Sequence, residues 1–359
     1  MYKVGILTSG GDCQGLNAAI RGVAKSLYEE FDDQVEIYGV QNGYQGLING
    51  NIKRMSKSDF SGILTLGGTI LGTSRQPFKM MRIIDDVTGI DKVKNMKANY
   101  KKFGFDCLVV LGGNGTHKSA NMLSEEGLNV VSLPKTIDND VWGTDMTFGF
   151  QSACDIATDV LDCIHTTATS HGRIFIVEVM GHKVGWLTLH AGIAGGADII
   201  LLPEIPYDIE KVSSVINKRE AEGKNFSILA VAEGAISKQE AAMKKKDLKA
   251  LRAKETYPSV AYKVADELSH YISNEIRVTV PGHFQRGGSP CAYDRVLSTR
   301  FGAAAARLIK NRKYGNMVGL RNGEIVPVPL SEVAGKLKKI PSDYPLINEA
   351  KDVGISFGD

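Results

Sequence analysis

Two patterns alternate along the chain. Short runs of apolar, often β-branched residues recur throughout: "KVGILTS", "QVEIYGV", "DCLVVLGG", "NVVSLP", "RIFIVEVMG", "ADIILLP", "FSILAVAEG" and "IRVTVPG". Their length, and the Gly, Pro, Ser or Asp that closes nearly every one, predicts buried strands. Between them lie longer amphipathic stretches, of which "LNAAIRGVAKSLYEEF" and "GFQSACDIATDVLDCIHTTATS" are the clearest helices. This alternation predicts an α/β protein whose mainly parallel sheets carry helices on both faces, a three-layer, Rossmann-like arrangement. At 359 residues the chain is too long for one hydrophobic core, so two domains are expected. No repeat and no low-complexity linker marks the join. In open parallel sheets ligands bind beyond the carboxyl ends of the strands, so the strand-end loops are where function is expected.

Composition excludes several classes. A formal net charge of +3 is too small to imply nucleic acid or a membrane surface as partner. No stretch approaches the roughly 20 apolar residues of a membrane span. The start "MYKVGILTSGG" reads as a strand and not as a signal peptide. The five cysteines are odd in number and scattered without a CxxC pair, which predicts neither a disulfide frame nor zinc, and a reducing cytoplasm.

The strand-end loops are rich in glycine and charge. "LTSGGDCQG" follows the first strand, "LGGNGTHKSA" follows the strand near 106–111, and "LGGTILGTSRQPF" lies between them. Gly-rich strand-to-helix turns let backbone N–H groups approach phosphate oxygens, and a helix N-terminus adds its dipole. Each glycine alone could equally serve a tight turn. "GGNGTHKS" is not a P-loop, because His117 stands where Gly should precede the lysine, and it lacks the third Gly of the dinucleotide pattern. "LPKTIDND" (133–140) crowds two carboxylates, an amide, a hydroxyl and an ammonium onto the end of an apolar run. Taken by itself it could be a turn capped by Asp and Asn. Arginines in "TSRQ", "HGR" and "NEIRVTVPGHFQRGG" suit bidentate phosphate binding.

Taken together, "ILTSGGDCQGLNAAIRG", "GGTILGTSR", "LVVLGGNG", "PKTIDND", "GTDMTFGF", "ATSHGR", "VEVMG", "AGIAGGAD" and "GHFQRGGSP" resemble, in order and spacing, the 6-phosphofructokinase family along nearly the whole chain. The resemblance implies ATP-dependent phosphorylation of fructose 6-phosphate at C1, with Mg²⁺. It implies that Asp138 is the general base, with Thr136, Lys135 and Asp140 beside the transferring group. Arg173, Met180, Gly181, His182, Glu233, Arg277, His283 and Arg286 would bind the sugar phosphate. Gly11, Arg75, Gln76, Gly113, Asn114, Gly115 and Thr116 would bind the donor, with Asn114 and Asp140 nearest the metal. Arg173 and Arg277 match arginines that the family supplies from a neighbouring subunit, which implies a homotetramer with shared active sites. The implied domains are 1–149 with about 285–335, holding nucleotide, and 150–284 with about 336–359, holding sugar phosphate.

Three residues depart from the family pattern. Asn114 replaces an aspartate, and an amide is a weaker ligand than a carboxylate for a hard cation. Lys135 is typical of pyrophosphate-using and mixed branches, whereas Gly115 leaves room for a nucleotide; the blocking side chain decides, so ATP is the expected donor. His182 stands for an arginine, and a histidine is shorter and lacks the permanent charge of a guanidinium. These departures keep two alternatives open: a pyrophosphate-linked or other sugar-phosphate kinase, and a weakly catalytic regulatory paralogue. Arg21 matches one effector-site arginine of the family, but Lys25 and "NGNIKR" do not reproduce the rest.

Overall fold

A computed structural model describes residues 1–84 and 89–359. The described strands are β1 (Tyr2–Thr8), β2 (Val35–Val40), β3 (Ile52–Met55), β4 (Cys107–Gly112), β5 (Val130–Pro134), β6 (Ile174–Val179), β7 (Ile199–Leu201), β8 (Ser227–Ala232), β9 (Ile276–Thr279), β10 (Asn316–Arg321) and β11 (Glu324–Pro329). Each of the apolar runs quoted above forms one of them. The strands β3, β10 and β11 were not among those runs; in β3 and β11 the apolar residues are diluted by exposed ones, as in "IKRM" and "EIVPVP".

The chain divides into two compact units, Met1–Ser152 with Arg286–Lys338, and Ala153–Gln285 with Lys339–Asp359. The first holds a seven-stranded sheet in the order β11-β10-β5-β4-β1-β2-β3. Its interior is parallel, and its two edges are antiparallel: β3 pairs with β2, and β11 with β10. The central strands are apolar on both faces because both are covered; Val4, Ile6, Leu108, Val109, Val110 and Leu111 are fully buried. The second unit holds a parallel four-stranded sheet, β7-β8-β6-β9, over a core that includes Ile176, Leu229, Val231 and Val264. No described helix is long and apolar enough to cross a membrane. All five cysteines are free thiols, and Cys13, Cys107 and Cys154 are buried.

In the first unit the helix Leu16–Glu30, launched directly from the loop after β1, packs on the helix Ala292–Lys310. Gly22 and Gly302 let the two backbones touch, since a Cβ on Gly302 would lie 2.5 Å from Val23 N and 2.6 Å from Gly22 C. This contact fixes where the first helix begins, and hence where the loop Ser9–Gly15 sits. Gly302→Ala is therefore expected to destabilise the protein by about 1–3 kcal/mol, read as a lower urea midpoint. An unchanged midpoint would mean the helices are not in backbone contact.

Candidate active site

In the first unit, the carboxyl ends of β1, β4 and β5 lie side by side. Thr8 is opposite Leu111, and Gly112 is opposite Pro134. The ladder runs one bond further, as Lys135 N–H donates to Gly112 O at 2.9 Å. Gly112 must be glycine here, because a Cβ would meet Thr116 at 2.3 Å. The helix Asn114–Glu125 starts at once after β4, capped by Gly113 with no side-chain cap. Its first N–H groups thus face the strand ends. Gly10 N–H donates to Ser74 O, and Thr73 Oγ1 to Gly10 O, tying the "GTSR" segment to the glycine loop.

Around this floor the structure gathers Lys135, Thr136, Asp138, Asp140, Asn114 and Arg286. Lys135 is buried, and its ammonium donates to Gly11 O. Burial, with Arg286 nearby, pushes its pKa down. The Arg286 guanidinium packs on Gly11 and donates to Asp12 O at 3.0 Å. Arg286 is counted with the first unit and His283 with the second, the division falling between Gln285 and Arg286. Thr136 Oγ1 accepts from Asp138 N–H at 3.1 Å, so the turn places Asp138, partly exposed, between buried neighbours on both sides.

Asp140 is buried, and burial followed by the Asp138 charge raises its pKa to about 6. Asn114 opposes that rise: its Nδ2 donates to Asp140 Oδ2 at 2.6 Å and to Asp140 O at 3.0 Å. Its Oδ1 is a buried acceptor with no protein partner. An orphaned amide oxygen beside a buried carboxylate fits a hard cation. Among the described residues no group of three His, Cys, Asp or Glu could hold such an ion unaided. The arrangement suits a metal that arrives on phosphate oxygens.

Other expected donor residues are placed as follows. The space where a Gly115 side chain would stand is open, with no atom within 4 Å. Thr116 is buried, its hydroxyl donating to Ser9 O at 3.3 Å. Arg75 is exposed, and the Gln76 amide bonds to Gln45.

In the second unit, Met180, Gly181 and His182 form a tight turn after β6. Glu233, following β8, closes it: its Oε1 accepts from Gly181 N–H at 3.2 Å and from His182 N–H at 2.5 Å. Two adjacent N–H groups hold this carboxylate oxygen in place. His182 is exposed and has φ 53°, so it occupies the left-handed region that non-glycine residues seldom adopt. Gln285, fully buried, accepts from Met180 N–H at 3.1 Å and donates to Gly282 O at 3.1 Å, joining the Met180 turn to the His283 segment. Sequence reasoning passed over Gln285, although its place in "GHFQRGG" was the available signal. Arg173 and Arg277 are brought together by Glu275, whose two carboxylate oxygens accept one from each. Glu275 was also passed over.

An α/β fold with glycine loops, cations and paired carboxylates at its strand ends suits the binding of phosphate groups and their metal. Residues 3–309 match the phosphofructokinase family. Over 357 residues the chain is 56% identical to a Spirochaeta thermophila protein named ATP-dependent 6-phosphofructokinase, covering 99% of this chain and 97% of that one. It is 46% identical over 357 residues to ATP-dependent 6-phosphofructokinase 3 of Bacteroides thetaiotaomicron, covering 99% and 100%. The solved structure of phosphofructokinase from Saccharomyces cerevisiae superposes with a TM-score of 0.79 at 32% identity, over 93% of this chain and 45% of that one. The chain belongs to the phosphofructokinase family.

The Asn114–Asp140 contact yields a prediction about charge. Asn114→Asp removes the donor and sets a second carboxylate against Asp140, a loss of about 1–3 kcal/mol. In EDTA its Tm should fall by about 2–8 °C, and added Mg²⁺ should restore more of that Tm than it adds to the parent. Equal Tm values in EDTA would show that residue 114 does not face Asp140.

Proposed function

We propose that the protein transfers the γ-phosphoryl group of ATP to the C1 hydroxyl of fructose 6-phosphate, giving fructose 1,6-bisphosphate in glycolysis. The observation that carries the choice of donor is the open space at Gly115, in the first turn of a helix. An aspartate there would fill that space with negative charge and oppose the α-phosphate of a nucleotide. Both bacterial relatives are named as ATP-dependent, which supports the same reading. Lys135 alone speaks for pyrophosphate, and the open space at Gly115 outweighs it.

In this reading Asp138 takes the proton from the C1 hydroxyl as general base. Thr136 and Asp140 hold the turn that aims it. Lys135, at the glycine loop, offsets the charge of the donor phosphates. Mg²⁺, carried by ATP and adjoined by Asn114 Oδ1 and the Asp140 carboxylate, would neutralise charge between the phosphates. Glu233, with the Met180–His182 turn, binds the sugar. His283, Arg286, Arg173 and Arg277 bind its phosphate, Arg173 and Arg277 reaching a neighbouring subunit of a homotetramer.

A coupled assay of the purified protein is expected to show fructose 1,6-bisphosphate formed with ATP and none with pyrophosphate, at every Mg²⁺ concentration; the reverse preference would overturn the donor assignment. In the same assay Asp138→Ala should lose about 10²–10⁴-fold in kcat while still binding fructose 6-phosphate by calorimetry. Near-parental turnover would remove Asp138 from the mechanism.

The shared site has its own test. Inactive Arg277→Ala and inactive Asp138→Ala proteins, mixed and allowed to exchange subunits, should regain part of the activity, because some hybrid sites are whole. No recovery, with exchange verified by native mass spectrometry, would show that each site is built within one chain.

A further inference from the structure

The loop that carries Asp138 is held by a residue nearly 200 positions further along the chain. Lys338, the last residue of the first unit, donates its ammonium to Asn139 Oδ1 at 2.8 Å, Thr144 O at 2.9 Å and Asp145 O at 2.8 Å. An ammonium has three protons, and here the loop offers an acceptor to each. The backbone takes part as well. Lys338 N–H donates to Asp140 O at 2.9 Å, and Leu337 forms an antiparallel bridge with Val141.

The central acceptor is Asn139, the residue directly after Asp138. It is buried and adopts the left-handed conformation, φ 51°, which turns the chain between the two aspartates. Its side chain is fully committed: Oδ1 accepts from Lys338 and from Thr147 N–H at 3.1 Å, and Nδ2 donates to Asp145 O at 3.3 Å. Thr147 Oγ1 closes the loop by donating to Thr136 O at 2.8 Å. The loop from Thr136 to Thr147 is therefore a closed set of hydrogen bonds around one ammonium.

A surface lysine making no more than a local contact would not need this. Lys338 is partly withdrawn from water, which is unfavourable for an ammonium unless hydrogen bonds replace its lost hydration, and three are supplied here. Such an arrangement fixes one conformation of the turn. The turn in question is the one from which Asp138 projects.

We propose that Lys338 is a positioning residue for phosphoryl transfer, acting through Asn139 to fix the direction in which Asp138 points. It touches neither donor nor sugar in this account. The inference rests on Asp138 being the base. Misplacement of a reacting group by about 1 Å can cost on the order of 10²-fold in rate.

The test is Lys338→Met, which keeps the aliphatic stem and removes the ammonium. kcat should fall about 10- to 100-fold, with KM for fructose 6-phosphate and for ATP within about threefold of the parent. Lys338→Arg should not restore kcat, because a planar fork cannot satisfy three acceptors arranged around a point. In an Asn139→Ala background, Lys338→Met should cost little further kcat, since both act through one contact. Full kcat in Lys338→Met at temperatures well below its Tm would make Lys338 merely structural and overturn the proposal. Full rescue by Arg, or additive losses with Asn139→Ala, would overturn it too. If Lys338→Met does not yield folded protein, Lys338→Gln serves with the same expectations. A dead Asp138→Ala beside a fully active Lys338→Met sinks this inference alone, whereas an active Asp138→Ala sinks the base assignment beneath it.

Discussion

The pairing of β4 with β5 is the constraint on which the transfer site depends. In the observed register Gly112 lies opposite Pro134, and Lys135 N–H donates to Gly112 O. This sets the start of one helix, at Asn114, beside the turn that carries Asp138. The Asn114–Asp140 hydrogen bond can form only because the two chain ends emerge level. In a parallel ladder a slip of one residue would turn every side chain to the opposite face of the sheet, carrying Lys135 away from the glycine loop. The slip would also break the buried hydrogen bond between Ser132 of β5 and His117 of the helix that follows β4. The chemistry of the loop is thus held in place by residues that have no chemistry of their own.

Much of this was legible in the chain. Long apolar, β-branched runs such as "DCLVVLGG" announce central strands because a strand covered on both faces has no polar positions to blur the signal. The edge strands β3 and β11 are largely exposed and mix Lys, Arg and Glu with their apolar residues, so their pattern is weak, and β10 is a short run broken by Gly319 and ended by Arg321. The site was legible where a motif is continuous in sequence, as in "PKTIDND". It was not legible where it depends on distant parts. Lys338 lies in "GKLKKI", a charged stretch that reads as solvated surface, and nothing local says that one of its three lysines turns inward.

Asn114 is a case in which the residue was found but its work was not. From sequence it is a weakened metal ligand. In the structure its amide nitrogen is a donor to Asp140, a task that an ionised carboxylate cannot perform. One atom of the side chain steadies a buried acid, and the other remains an oxygen ligand without a protein partner. Glu275 is comparable. A single carboxylate standing between Arg173 and Arg277 reduces their mutual repulsion and holds them as a pair, so the positions of two cations follow from one anion.

The strand order has a consequence for synthesis of the chain. β5 is flanked on one side by β4, made just before it, but on the other by β10, which belongs to the last tenth or so of the chain. Emerging from the ribosome at about 5–20 residues per second, the chain leaves the edge of β5 at Val131 and Ser132 uncovered for roughly 10–40 s before Asn316 and Met317 can pair with it. That edge is a row of unpaired backbone groups on an apolar strand, the kind of surface that recruits stray strands or chaperones. Every molecule must pass through this interval, so the yield of folded protein in a crowded cell is set in part by how well that one edge is shielded while the ribosome finishes.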